Sequence, residues 1–423
     1  MTRPRLVVLV AAIFLALLAV VAVVALVTTR FGSPGPVAAV RYGGTHEIAV
    51  RGRQLVDRRT GRPFVARGWN YVRLGVQRTP AGRVVYHSTF NVGRYEAARA
   101  ERALRRMRAS GYDVVRVFLN AACFRTCLID PQTGELSAGY VANLADFLHR
   151  AAAADVEVML TIDHPPDRGR YGALLQSEPG SHTEGVNRFY LTEGGVRASA
   201  AFWSDLVSDL ARRGAPLRAV VGYELLNEVT FAQRLQPLSL RAGTFTSPAG
   251  RRYRLASAGE RTQMLGDGLV YWIDTVRRAI RDRDPTALVG VGFAQPLEQR
   301  SIGPRLVRAM LERSQADFVD VHAYSRLGLP WKAYAAEAHF AASRKPLIMG
   351  ELGAFKAAYP TVADAAQGLR SRIEESCGSG FSGWLAWSWD ARAQPELWSA
   401  TSAGGALERS LAPHVWPSPC THR

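Results

Sequence analysis

The chain has 423 residues, of which 48% are hydrophobic and 21% charged; this excludes a disordered or collagen-like chain and allows a sizeable buried core. Its net charge of +17 comes almost wholly from arginine, since Lys332, Lys345 and Lys356 are the only lysines. The arginines are scattered without a basic tract, a helix-turn-helix or a zinc-finger signature. No nucleic-acid partner is therefore expected, and attraction to acidic cell surfaces is the lesser reading of the charge.

Arg3 and Arg5 precede an unbroken apolar run from Leu6 to Val27, followed by Thr28, Thr29 and Arg30. At 1.5 Å per residue this run reaches roughly 33 Å, enough to cross a bilayer core. A cleaved signal peptide has a shorter apolar region, about 7–15 residues, with a small-residue site directly after it. Here the nearest such site lies near Pro36-Val37-Ala38-Ala39. Residues 1–30 are expected to be an uncleaved signal anchor in the lipid bilayer, with the rest of the chain outside the cell membrane; cleavage and secretion is the alternative. The Gly-, Pro- and Ala-rich stretch 31–45 reads as a linker, and 46–423 as the exported domain.

Within that domain, 46–64 (Asp57, Thr60-Gly61, Pro63) predicts a small hairpin. Strand-like apolar runs then follow at Val65–Tyr71, Val114–Leu119, Val156–Ile162, Ala219–Leu225, Ala287–Val291, Phe318–His322, Pro346–Gly350 and Phe381–Trp387. Helix-like stretches lie between them, among them Glu96–Arg108, Val141–Ala154, Gly195–Arg213, Arg261–Arg281 and Val362–Ser376. Apolar rather than alternating strands describe buried parallel β-structure. Helix-to-strand connections are short, while strand-to-helix connections such as 163–194 and 229–258 are long. That asymmetry matches a barrel, whose active face is built from the loops after the strands. No Gly-rich phosphate loop follows the first strand, which counts against a dinucleotide fold. The fold class expected is α/β: a single (β/α)8 TIM barrel with an N-terminal transmembrane helix, the hairpin closing its bottom.

Four cysteines are an even number, as an oxidising compartment favours. Cys123 and Cys127 are close enough for a local bridge, leaving Cys377 and Cys420 to tie down the C-terminal tail. Four cysteines allow three pairings, and this is the preferred one. A zinc site is the weaker reading, for want of a second matching pair.

In a barrel, polar residues just after each apolar run point into one pocket. They are Asn70, Arg116, Asp163-His164, Asn227-Glu228, His322, Tyr324, Glu351, and Trp387 or Trp389. The two glutamates supply what glycoside hydrolysis needs: one carboxyl to protonate the leaving oxygen, another to attack the anomeric carbon or activate water. Glu224 lies deeper in its strand and reads as structural. The two histidines, taken alone, are more often structural, and only their strand-end positions raise them to site candidates. His322-x-Tyr324 lacks a third ligand, so no metal is expected, and no cofactor either. The absence of a Gly-x-Ser-x-Gly elbow argues against a serine hydrolase. Trp203, Trp272 and Trp331 read as packing.

These segments resemble glycoside hydrolase family 5. Val221-Gly222-Tyr223-Glu224-Leu225-Leu226-Asn227-Glu228 is similar to its strand-four acid/base motif, and Pro346-Leu347-Ile348-Met349-Gly350-Glu351-Leu352-Gly353 to its strand-seven nucleophile motif. Val319-Asp320-Val321-His322-Ala323-Tyr324 and Gly383-Trp384-Leu385-Ala386-Trp387-Ser388-Trp389 resemble its strands six and eight. Arg67-Gly68-Trp69-Asn70, Arg116 and His164 fit strands one to three. Val229 stands where the family often has proline, and Leu352 where it often has an aromatic residue.

The resemblance implies a retaining hydrolase of β-linked glucan, mannan or glycoconjugate, with Glu228 as acid/base and Glu351 as nucleophile. Glu228 would be kept protonated by the nearby Glu351 carboxylate. Asn227 would bind the sugar 2-hydroxyl, and Arg116 and Tyr324 would orient Glu351. His164 and His322 would contact substrate or the acid/base, and Trp387 would floor the sugar site, with Trp389 as runner-up. The expected partner is a poly- or oligosaccharide, and no oligomer is required. An envelope transglycosylase using the same residues and a non-catalytic carbohydrate-binding barrel are the alternatives.

Overall fold

In the computed structural model, the residues described are 41–72, 87–121, 127–178, 183–294, 303–324, 331–390, 394–417 and 420. The apolar run from Leu6 to Val27 lies outside them; among the described residues no helix is long and apolar enough to cross a membrane.

The domain begins with an antiparallel sheet of β1 (Ile48–Arg51), β2 (Gln54–Asp57) and β3 (Pro63–Phe64), one strand more than the expected hairpin. Eight parallel strands follow: β4 (Ala66–Tyr71), β5 (Val114–Leu119), β6 (Glu157–Ile162), β7 (Val220–Glu224), then, after a hairpin of β8 (Thr244–Thr246) and β9 (Arg252–Arg254), β10 (Val289–Ala294), β11 (Phe318–His322), β12 (Leu347–Phe355) and β13 (Gly383–Trp387). Each pairs with the next, and β13 pairs with β4, which closes the barrel. A short β14 (Leu397–Trp398) adds antiparallel to the end of β12. The expected (β/α)8 fold is present.

Side-chain alternation divides the core into two layers. In β5, Val115, Val117 and Leu119 join the large cluster shared with the helices, while Val114 points into the barrel. The barrel's lower interior is filled by Ala66, Val114, Met159, Val221, Leu288, Phe318, Ile348 and Leu385, and capped by Ile48 and Leu55 of the small sheet. It is therefore a plugged core, which leaves the opposite end of the barrel for a site. The long helices start where their sequences supply caps: Ser257 accepts from Glu260 N, and Thr361 forms a reciprocal box with Asp364. Tyr42, within the expected linker, already docks: its N–H reaches Arg283 O at 2.6 Å, and its hydroxyl accepts from Arg218 N at 2.9 Å. Cys377 and Cys420 form the expected disulfide. Cys127 is also disulfide-bonded, while its expected partner Cys123 lies outside the described residues.

One carboxyl at the barrel's bottom has a measurable consequence. Glu157 opens β6, and burial, with Glu47 and Asp155 nearby, raises it from an ordinary 4.5 to about 8. An unfolded chain releases that proton near 4.5. The contribution to stability is therefore fully present below 4.5 and is lost as pH rises through 8. Glu157→Gln should remove this dependence and leave the variant more stable than the parent at pH 8, on the order of a few kcal/mol. Urea unfolding of both proteins at pH 5 and 8 checks it; parallel pH dependences would refute it.

Candidate active site

At the upper end of the barrel the inward residues become polar. Arg116 is fully buried, and all five of its N–H donors are engaged. Nε and Nη2 hold Glu224 at 2.7 and 3.0 Å, and Nη2 also reaches Asn227 Oδ1 at 2.6 Å. Nη1 reaches Asn70 Oδ1 at 2.9 Å and Glu351 Oε1 at 2.8 Å. A buried guanidinium is tolerable only with such compensation. Burial works against its charge, but Glu224, Asp320 and Glu351 outweigh it and hold Arg116 above its ordinary range. Burial raises Glu224 itself to about 8, against the pull of Arg116.

Glu351 reaches the pocket through a β-bulge. Asp320 pairs with Ile348 and His322 with Glu351, so β12 holds one residue more than β11 over this stretch. Strict alternation from the inward-facing Ile348 would turn Glu351 outward; the extra residue reverses the parity, and Leu352 packs in the outer layer instead. Two glycines make room below. A Cβ on Gly350 would lie 1.9 Å from both Asp320 carboxylate oxygens, and one on Gly292 would lie 2.1 Å from Glu224 Oε1.

Both Glu351 oxygens are held, Oε1 by Arg116 and Oε2 by the Tyr324 hydroxyl at 2.5 Å. Glu228 follows β7 and faces it across the pocket, its Oε1 2.9 Å from His322 Nδ1. An oxygen of each glutamate and a ring nitrogen of His322 all lie within 4.8 Å of one another. Glu351 is 5% exposed and Glu228 36%, so Glu228 is the carboxyl that fronts the opening.

The electrostatics differ from the sequence expectation. Burial alone would raise Glu228, but the hydrogen bond and charge of His322, with Arg116, more than offset it and leave the carboxyl below its ordinary value. Burial raises Glu351, opposed by His322 and Arg116. Like-charge repulsion from Glu351 therefore does not by itself keep Glu228 protonated; the imidazole between them dominates. Burial disfavours charge on His322, yet Glu351, Asp320 and Glu228 lift it well above its ordinary range.

Asn70 is fully buried, with Nδ2 donating to Gly350 O at 2.8 Å, so it braces Arg116 and β12 from inside the barrel. His164 stands apart from this cluster, 72% exposed and 3.2 Å from Asp163 Oδ2, which raises its pKa by hydrogen bonding. Trp387 lies with Phe118, its ring centroid 5.5 Å away, and donates to Gln394 at 2.9 Å. Trp389 instead packs edge-on to Trp69 in the outer layer, which removes it as the floor. Asp320, Phe118, His87 and Gln394 were not singled out from sequence. The inward parity of Asp320 with His322, and of Phe118 with Arg116, was a usable signal. His87, stacked on Phe118 with centroids 4.2 Å apart, comes from a loop that offers none.

Among the described residues, Glu224–Asp320–His322 and Glu228–His322–Glu351 have the spacing of metal ligands. In the first group the Arg116 guanidinium already lies against both carboxylates, at 2.7 and 3.3 Å.

No protein-family profile matches the chain, and no curated protein does either. Solved structures do match its fold. The endo-1,4-β-mannanase of Rhizomucor miehei is 15% identical, with a TM-score of 0.59 over 87% of this chain and 98% of that one. A glycoside hydrolase family 5 mannosidase from the same organism is 14% identical, with a TM-score of 0.55 over 88% and 97%. The endo-β-1,4-mannanase of Thermotoga petrophila is 16% identical, with a TM-score of 0.52 over 84% and 78%. The class defined by the fold is thus the (β/α)8 barrel that glycoside hydrolase family 5 structures share, consistent with the resemblance read from the sequence.

Proposed function

We propose that this protein is a retaining hydrolase of β-linked glycans. The observation that carries the proposal is the pair Glu228 and Glu351, with oxygens within 4.8 Å across one pocket. Double displacement needs carboxyls about 5–5.5 Å apart, whereas inversion needs roughly 6.5–9.5 Å to admit a water. Glu351, oriented by Arg116 and Tyr324, attacks the anomeric carbon while Glu228 protonates the departing oxygen. Water then enters, Glu228 takes its proton, and the bond to Glu351 breaks. Because its oxygen is held by Arg116, Asn227 presents its NH2 group to the sugar 2-hydroxyl. Trp387 floors the sugar, and His164 contacts substrate from the rim.

The neighbours' names make β-mannan the first substrate class to try, with β-glucan second. We place the catalytic domain outside the cell, anchored by Leu6–Val27; the Cys377–Cys420 disulfide supports an oxidising compartment. A panel of β-mannans, β-glucans and aryl β-glycosides tests the activity, with proton NMR of the first-formed sugar. The β-anomer should appear first. First formation of the α-anomer would sink the double displacement, and no turnover of any member would favour a binding barrel. Products longer than a defined oligosaccharide substrate would indicate transfer to sugar in place of water.

A further inference from the structure

Asp320 is fully buried in β11, two residues before His322, and no substrate can reach it. Its Oδ2 lies 3.5 Å from His322 Nε2 and 3.3 Å from Arg116 Nε. The barrel leaves out a side chain at Gly350 where one would collide with this carboxylate. A carboxylate without solvent is costly to bury, so its position beside the imidazole calls for a reason.

The geometry around the ring limits where its hydrogens can be. His322 Nε2 is also 3.4 Å from Arg116 Nη2, but both hydrogens of that nitrogen are already taken by Glu224 and Asn227. Arg116 can therefore offer Nε2 only a shared hydrogen, the longer branch of one already given at 2.6 or 3.0 Å to Asn227 or Glu224. An ionised Asp320 is an acceptor only. A bare Nε2 lone pair facing it would be repelled, so Nε2 carries a hydrogen. Nδ1 then faces Glu228 Oε1 at 2.9 Å with a single proton between them, on the ring or on the carboxyl. With the opposite tautomer, Nδ1–H would hold Glu228 as a bare carboxylate with no proton for the leaving group.

We propose that Asp320 is a positioning residue: it fixes His322 as the Nε2–H form, so that the His322–Glu228 pair always holds the one proton that departs with the leaving group. The proposal rests on the hydrolase reading above. In the first half-reaction that proton passes to the glycosidic oxygen as the C–O bond breaks and Glu351 bonds to the anomeric carbon. In the second half-reaction the proton of the attacking water restores it, so the pair ends as it began. The charged groups facing the ring are Asp320 on its own strand, Glu351 of β12 (Oε1 3.7 Å from Nδ1), Glu228 after β7, and Arg116 of β5. Glu224 of β7 also faces the ring, with a carboxylate oxygen within 4.8 Å of a ring nitrogen. The depression of Glu228 and elevation of His322 are what a proton resting on the ring side of the pair produces.

The test is Asp320→Asn, which keeps the shape and an acceptor but removes the charge that fixes the tautomer. On an active β-glycoside series, kcat/KM should fall about 100-fold or more for poor, alkoxide-like leaving groups and less than about 10-fold for dinitrophenolate, which needs no proton. The alkaline limb of its pH profile should move to lower pH, because His322 loses a facing negative charge. Equal losses across the series, or none anywhere, would overturn the proposal. If the variant does not fold, nitrogen NMR of histidine-labelled parent protein decides, with His322 identified by its loss in His322→Gln. A protonated Nε2 supports the proposal, and a bare Nε2 with Nδ1–H overturns it. A parent inactive on every glycoside refutes the hydrolase reading instead and leaves the NMR result standing.

Discussion

Glu351→Ala should lower turnover of an activated aryl β-glycoside by roughly 10⁴-fold or more, because in the proposed double displacement it removes the atom that bonds to the anomeric carbon. The loss should not come from misfolding. Both Glu351 oxygens are bound by groups that keep other roles, Arg116 with Glu224 and Asn227, and Tyr324 at the pocket wall. The methyl group left behind opens space next to the anomeric carbon, on the face opposite the leaving group. External azide can enter that space, and the product should be the glycosyl azide of inverted configuration. Steady-state rates with and without azide, and the product's anomeric coupling constant, check both parts. Retained activity without azide would remove Glu351 from the nucleophile role.

Arg116→Met should cost both stability and activity. The substitution keeps much of the side chain's length but leaves Glu224, Asp320 and Glu351 without the cation that each lies against, at 2.7, 3.3 and 2.8 Å. Breaking a buried ion network from one side costs about 3–5 kcal/mol. Urea unfolding at pH 7 should show a loss of that size. The deficit should shrink at pH 5: without the cation these carboxyls titrate higher in the folded chain, and protonating them removes the unpaired charge. Arg116→Lys should rescue little, since three donors on a flexible stem cannot replace five in a fixed fork reaching four partners. Activity should follow Glu351, which loses the bond holding Oε1. A variant as stable as the parent would show that the network positions the site without supporting the fold.

Much of this is legible in the sequence. The eight apolar runs became the eight barrel strands, because a strand buried on both faces must be apolar throughout, and sequence records that directly. The site residues lay where those runs ended, since the barrel gathers the strand ends at one face. β12 shows where this reasoning stopped. The run Pro346–Gly350 ended before Glu351, while the strand continues to Phe355 and contains a bulge. Nothing local marks the extra residue; it exists because β11 and β12 must pair on both sides of it. The ionisation of Glu228 is not legible in the sequence for a related reason. The strand-end pattern pairs it with Glu351, but the group within hydrogen-bonding distance is His322, 94 residues away.

The sequence by itself determined the barrel and the placement of the two glutamates at strand ends on one face, because periodicity and strand ends are local properties of the chain. Only the tertiary structure decided which way Glu351 points, which tryptophan lines the pocket and which groups face Glu228. Side-chain parity after a bulge is set by the pairing of neighbouring strands. A buried group's charge is set by whatever the fold brings within a few ångströms, and here that is Arg116, His322 and Asp320, drawn from strands far apart in the chain.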